Sequence, residues 1–93
     1  MNTSAATDQR RLRVAVIGAG YFAQFHLEAW QRLQQAGLIE LVALVDSDPD
    51  RLQQSAARFA PGACYRSAEQ LPGTDKPDLL DIATPPETHL ALV

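Results

Sequence analysis

The stretch from Leu12 to Ala23 leaves the chain few folds to choose from. Leu12-Arg13-Val14-Ala15-Val16-Ile17 is an apolar, β-branched run that breaks directly into Gly18-Ala19-Gly20-Tyr21-Phe22-Ala23. Such a run reads as a buried strand. Behind the glycines, Tyr21 to Ala36 carries Phe22, His26, Ala29, Trp30 and Leu33 at helical spacing, which predicts an inward stripe. Gly37 sits where a helix-ending residue belongs. A strand that passes through two glycines into a helix opens a βαβ unit.

In that context G-x-G-x-x-A gives each position a task. Gly18 permits the tight turn, Gly20 leaves the backbone open to a pyrophosphate, and Ala23 lets helix and strand pack closely. The helix N-terminus adds free N–H groups and a positive dipole end. The competing reading is a tight turn without a ligand; the strand–turn–helix context favours the first.

The rest of the chain repeats the alternation. Leu38 to Val45 is apolar except for Glu40 and predicts a second buried strand. Asp48-Pro49 supplies an N-cap and a first-turn proline for a helix through Phe59, stopped by Ala60-Pro61-Gly62. Ala63 to Tyr65 reads as a short third strand. Ser67 and Gln70 have capping-box spacing for one or two helical turns. Residues 74–77 form a loop, Leu79 to Ala83 a fourth strand, and residues 87–93 the start of a helix. All six prolines fall at or after Pro49 and none interrupts an apolar run, so they act as punctuation. Alternating apolar strands and helices predict an α/β fold, a parallel sheet in the order 3-2-1-4 with helices on both faces and right-handed crossovers. In that order the fourth strand is an exposed edge, an association hazard that predicts self-association or poor stability.

Composition excludes several classes. The 93 residues hold 8 Lys+Arg against 11 Asp+Glu, a net charge of −3, with 46% apolar and 20% charged residues. That is a globular balance with no nucleic-acid footprint. No apolar run approaches a membrane span. The single cysteine, Cys64, excludes an internal disulfide and a thiolate zinc cluster, and no metal site is expected. Residues 1–10 are polar and aperiodic and read as a disordered tail. Arg10-Arg11 reads as surface charge, not as a twin-arginine export signal, because a strand and a glycine turn follow it. The expected location is the cytoplasm.

Asp46 is the second half of the signal. It ends the second strand at about the distance after the glycines expected of an acid that accepts the ribose hydroxyls of adenosine. A turn-forming role in Asp46-Ser47-Asp48-Pro49 is the alternative. Asp46 with Asp48 makes this spot negative and Ser47 supplies no cation. A 2′-phosphate is repelled there unless Arg51 swings in, and Arg51 reads as part of a solvated helix face. NAD is therefore expected over NADP.

Thr84-Pro85-Pro86-Glu87-Thr88-His89 lies past the carboxyl end of the fourth strand, where open α/β sheets bind ligands. His89 either faces that ligand or caps its own helix. His26 reads as a helix-packing histidine, Trp30 and Phe25 as packing groups, Glu28 as solvated surface and Cys64 as a small apolar residue. Asp81, inside an apolar strand, has no assigned chemistry beyond a hydrogen bond to a neighbouring loop.

RVAVIGAGYFAQFH, LVALVDSDPDR and KPDLLDIATPPETH, in that order, resemble the amino-terminal domain of the Gfo/Idh/MocA oxidoreductases, the glucose–fructose oxidoreductase and inositol dehydrogenase family. The resemblance covers about residues 11–93. The spellings GAGYFAQFH and TPPETH are most similar to sugar dehydrogenases of the D-apiose type within it. The resemblance implies a Rossmann domain and NAD(P)-dependent chemistry on a sugar or polyol. It places Gly18, Gly20, Tyr21 and Phe22 by the pyrophosphate, Asp46 by the adenosine ribose, and Thr84, Pro85 and His89 along the nicotinamide side; Ser47, next to Asp46, is a further cofactor-binding candidate.

The sequence also departs from the family pattern. The family's E-K-P motif, with its proton-transfer lysine, the later D-x-x-x-H pair and the substrate domain do not occur within residues 11–93. The expectation is an incomplete NAD(P)-binding Rossmann domain with no catalytic residue in the chain. The alternatives are a stand-alone dinucleotide-binding or sensing module and, third, an S-adenosylmethionine-binding domain. The third class carries an acid just before its glycines, where Val16-Ile17 stand here.

Overall fold

Strand β1, Leu12–Ile17, runs between two neighbours and sets the frame. In the computed structural model, which describes residues 11–71 and 77–84, helix α1 (Tyr21–Gln35), strand β2 (Ile39–Val45), helix α2 (Pro49–Phe59), strand β3 (Cys64–Tyr65), a 3-10 turn (Ala68–Gln70) and strand β4 (Leu79–Ile82) follow. The expected tail at 1–10, most of the loop at 74–77, Pro85, His89 and the helix at 87–93 lie outside the described residues. The sheet has the predicted order, β3-β2-β1-β4, and every pairing is parallel.

The core sits under the two helices. Val14 and Val16 of β1, Ile39, Leu41 and Leu44 of β2, Leu27 of α1, and Leu52 and Phe59 of α2 form one buried cluster. Both α-helices therefore cover the same face. The opposite face carries Ala15, Val42 and Ala43, packed against Tyr65 and against Leu71 at the end of the 3-10 turn. Strict alternation would not place Leu41 and Leu44 on one face. The register shifts between Val14 and Ala15, which face Leu41 and Ala43. Val42 is thus an extra residue, a β-bulge, and its neighbours change sides. Gly62 approaches the bulge closely: its N–H donates to the Leu41 carbonyl at 3.0 Å, and a Cβ there would lie 2.9 Å from the Val42 carbonyl oxygen.

The helix ends follow local chemistry. Asp48 Oδ1 accepts from the backbone N–H groups of Asp50 at 2.9 Å and Arg51 at 3.3 Å, with Pro49 opening the helix. At the far end Ala60, not a glycine, takes the left-handed conformation, with φ 48°. Helix α1 closes with Gly37 at φ +81°. The Leu38 N–H donates to the Leu33 carbonyl at 3.0 Å and the Gly37 N–H to that of Gln34 at 2.9 Å, which is a Schellman motif. Leu38 is spent in this cap, so β2 begins at Ile39 and not at Leu38. Gln70 Oε1 accepts from the Ser67 N–H at 3.2 Å and the Arg66 N–H at 2.7 Å, the return arm of the predicted capping box.

The rotation of α1 differs from the stripe predicted for it. Its buried residues are Ala23 and Leu27, with Trp30 half-buried against the core. Phe22, His26, Ala29 and Leu33 face outward. Ala23 decides this. It is fully buried, and the turn of the glycine motif brings the smallest side chain to the sheet, which rolls the larger Phe22 away.

Candidate functional site

The site lies where the strand order reverses, at the carboxyl ends of β1, β2 and β4. Gly18 is wedged into this crevice. Its N–H donates to the Val45 carbonyl at 2.6 Å, its φ is +112°, and a Cβ would lie 2.8 Å from the Ala83 oxygen and 2.9 Å from Thr84 Cγ2. Both the conformation and the space require glycine. Gly20 is different. It occupies the N-cap of α1 at φ −78° with no side-chain cap, and the nearest atom to a Cβ built there is Arg51 Nη1 at 3.8 Å. The N-terminus of α1 therefore opens onto free space, as an anion-binding turn must.

Two adjoining cavities fill this end of the sheet. One, of about 470 Å³, is lined by Gly18, Gly20, Tyr21, Phe22, His26 and the β4 terminus through Thr84. The other, of about 320 Å³, is lined by Ile17, Val45, Ser47, Arg66, Ser67 and Ala68. Gly18, Asp46, Arg51 and Thr84 line both. Together they have the volume of a small-molecule site. Tyr21 and Phe22 are strongly exposed at the rim, and Tyr21 meets the rings of Phe22 and Phe25 edge-on, each at 5.5 Å between centroids. Thr84 Oγ1 is buried without a hydrogen-bond partner among the described residues.

Asp46 is buried at the boundary of the cavities, with 6% exposure. Its Oδ2 accepts from the Ala19 N–H at 2.6 Å, tying the end of β2 to the glycine turn. Its Oδ1 accepts from the Asp48 N–H at 2.7 Å and from Arg51 Nη2 at 3.1 Å. Asp46 thus fills the turn-forming role, and the same carboxylate lines both cavities. Arg51 is not a merely solvated helix residue, which corrects the sequence reading. It stands at the third position of α2, and the N-cap geometry at Asp48 points it back over the end of β2.

Sequence reasoning missed two features. Arg66 Nε donates to the Ser47 carbonyl at 3.0 Å, so a second guanidinium reaches the end of β2 from beyond β3. Asp81 does not bind a loop: its Oδ2 accepts from Trp30 Nε1 at 2.8 Å and pairs with His26 Nδ1 at 2.8 Å, both from α1. His26 is accordingly a satisfied, outward-facing histidine at the cavity edge and not a core one. The spacing of His26 and Trp30, one turn apart, was the available signal. Glu28, expected as solvated surface, pairs with Arg58 across α1 and α2.

Among the described residues no cluster of His, Cys, Asp or Glu could hold a metal ion. No described helix is long and apolar enough to cross a membrane. Of the sequence-predicted site residues, the structure brings together Gly18, Gly20, Tyr21, Phe22, Asp46, Ser47 and Thr84; Pro85 and His89 lie outside the described residues.

Residues 12–93 match a family described as an oxidoreductase family with an NAD-binding Rossmann fold. The chain is 35% identical over 91 residues to a D-apiose dehydrogenase of Paraburkholderia graminis, covering 98% of this chain and 24% of that protein. It is 37% identical over 82 residues to one of Rhizobium rhizogenes, covering 88% and 23%. The chain thus spans about a quarter of the length of these relatives. Among solved structures, an oxidoreductase from Agrobacterium radiobacter in complex with NAD+, L-tartaric acid and magnesium superposes with a TM-score of 0.77 at 32% identity, covering 89% of this chain and 23% of that one. A WlbA dehydrogenase from Chromobacterium violaceum in complex with NADH and UDP-GlcNAcA gives 0.78 at 25% identity, covering 90% and 24%.

Proposed function

The chain belongs to the Gfo/Idh/MocA oxidoreductase family, whose NAD-binding Rossmann fold it carries, and from that premise we propose that it is the cofactor-holding part of an NAD-dependent dehydrogenase of a sugar or polyol. The observation that carries the reading is the open N-terminus of α1 facing a cavity bounded by a buried carboxylate: Gly20 leaves room where Gly18 does not, and Asp46 stands across from it. These residues fit a dinucleotide. The backbone from Gly20 to Phe22 holds the pyrophosphate through N–H groups and the helix dipole. Asp46 accepts from the adenosine ribose; about four lone-pair positions on a carboxylate less the three donors already present leave room for one hydroxyl without rearrangement. Thr84 bounds the nicotinamide end, the side to which the family resemblance assigns Pro85 and His89. The nicotinamide, when bound, supplies the hydride chemistry; the chain binds and orients it.

The names of the relatives support a sugar or polyol substrate. Self-association through β4 is part of the same reading. Among described strands β4 pairs only with β1, and Leu79 and Leu80 are exposed, the condition in which a sheet edge recruits another chain. A lone free cysteine fits a reducing, cytoplasmic setting. Calorimetric titration with NADH and, separately, with S-adenosylmethionine tests the proposal. Saturable NADH binding is expected. Binding of the methionine derivative alone would assign the site to another class.

A further inference from the structure

Ala19 is held at both of its peptide groups by side chains. Its N–H donates to Asp46 Oδ2 at 2.6 Å, and its carbonyl accepts from Gln24 Nε2 at 3.0 Å. The same amide nitrogen donates to the Gly20 carbonyl at 3.3 Å and to Oγ of Ser55, a buried residue of α2, at 3.0 Å. Gln24 Oε1 accepts from Arg58 Nη1 at 3.4 Å. These partners settle which way round the amide lies. The opposite setting would put its oxygen against two carbonyls and its NH2 against a guanidinium. Arg58 is itself anchored, by Glu28 one turn along α1 from Gln24 and by the Phe59 ring, whose centroid lies 4.8 Å from the guanidinium. One side chain thus joins the glycine turn to α2.

We infer that Gln24 is a positioning residue for the phosphates of the dinucleotide: it turns the Ala19–Gly20 peptide so that the Gly20 N–H faces the 470 Å³ cavity, and it makes that orientation depend on the seat of α2. The inference rests on the dinucleotide reading above. The glycines give the turn its shape, and Gln24 gives one of its peptide groups a direction. A trans peptide carries its C=O and N–H on opposite sides, so drawing the Ala19 oxygen toward Gln24 turns the Gly20 N–H away from it. Without the amide, the carbonyl of Ala19, a residue only 4% exposed, loses that donor. It is then free to turn toward the cavity, where it sets an oxygen against a phosphate in place of an N–H. Gln24 is not among the described residues that line either cavity, so it acts through the turn and not by touching the ligand.

Titration of NADH, ADP and adenosine, followed through amide resonances of the wild-type protein, Gln24→Met and Arg58→Gln, tests this. Methionine keeps the length of Gln24 and removes its donor and its acceptor. NADH and ADP should each bind about five- to tenfold more weakly to Gln24→Met, the scale of a lost hydrogen bond. Adenosine, which has no phosphate, should bind as it does to the wild type. The Gly20 amide resonance of the free variant should move while that of Gly37 stays in place. Arg58→Gln, at an exposed position of α2, releases Gln24 Oε1 and should weaken NADH and ADP by about twofold, with adenosine again unchanged. A folded Gln24→Met that keeps wild-type NADH affinity would overturn the inference and leave the dinucleotide reading intact. So would one that weakens all three ligands by the same factor, because Gln24 would then serve the fold alone. Should Gln24→Met fail to fold by circular dichroism, Arg58→Gln decides by the same pattern. Wild-type protein that binds neither NADH nor ADP would remove the dinucleotide reading itself, and the inference with it.

Discussion

The two ends of the cavity are built by different means. At the glycine turn, position is set by backbone: a φ of +112° at Gly18, an unobstructed Gly20, and a fully buried Ala23 that brings α1 onto the sheet. At the end of β2, position is set by side chains: Asp46, Asp48 and Arg51 from the junction of β2 and α2, and Arg66 from beyond β3. At the first end Gly18 has no room for a side chain. The second can change its charge balance without changing its fold. A backbone-built turn is therefore joined to a rim whose charge is set by side chains.

Substitutions separate the two ends. Gly18→Ala should have the largest effect. It combines an unfavourable backbone conformation with a 2.8 Å approach to the Ala83 oxygen, a cost of about 3 kcal/mol. For a domain of this size that lowers Tm by more than about 12 °C, which differential scanning calorimetry would detect. Asp46→Asn comes next: it nearly keeps the shape, removes the charge proposed to receive the ribose, and replaces one of the two acceptor oxygens that now meet backbone N–H groups. NADH affinity should fall about tenfold or more, and an unchanged affinity would reduce Asp46 to a turn residue. Gly20→Ala sharpens the contrast with Gly18. Its φ of −78° suits alanine and open space surrounds it, so Tm should fall by less than for Gly18→Ala, by the roughly 1 kcal/mol that separates glycine from alanine at an N-cap. NADH affinity should nevertheless drop, because the methyl group enters the pyrophosphate space.

The smallest effect concerns Cys64 at the start of β3, beside the rim. Burial pushes the Cys64 thiol up from its ordinary value, so the folded chain holds that proton more tightly than the unfolded one. The resulting stability is fully present below the ordinary thiol range and is lost as pH rises through the raised value. Wild type and Cys64→Ser should therefore differ slightly more in Tm at neutral pH than at alkaline pH.

The same contrast explains what was legible in the sequence. Strand order, the Asp48 cap, the Gly37 cap and the glycine turn follow from local patterns in which each residue acts on its own neighbours. The rotation of α1 did not, because it depends on which residue touches the sheet; the apolar period suits both Phe22 and Ala23, and contact distance selects Ala23. The bulge at Val42 depends on pairing with β1, which no single strand reveals. Arg51 and Arg66 were missed as a pair because they are separated by β3 in sequence and meet only when its end is laid beside that of β2. His26, Trp30 and Asp81 were read apart for the same reason: a β4 residue and an α1 face are joined by topology alone.

A dinucleotide is proposed to lie between the open turn at Gly20 and the carboxylate at Asp46. Amide resonances of the isotope-labelled protein, followed by NMR during titration with NADH, test it directly. The largest changes are expected on Gly20, Tyr21, Phe22 and Ser47, with little change at Gly37 and Leu38 at the opposite end of α1. Changes centred on Gly37 and Leu38, or none at Gly20 and Ser47 at saturating NADH, would contradict it.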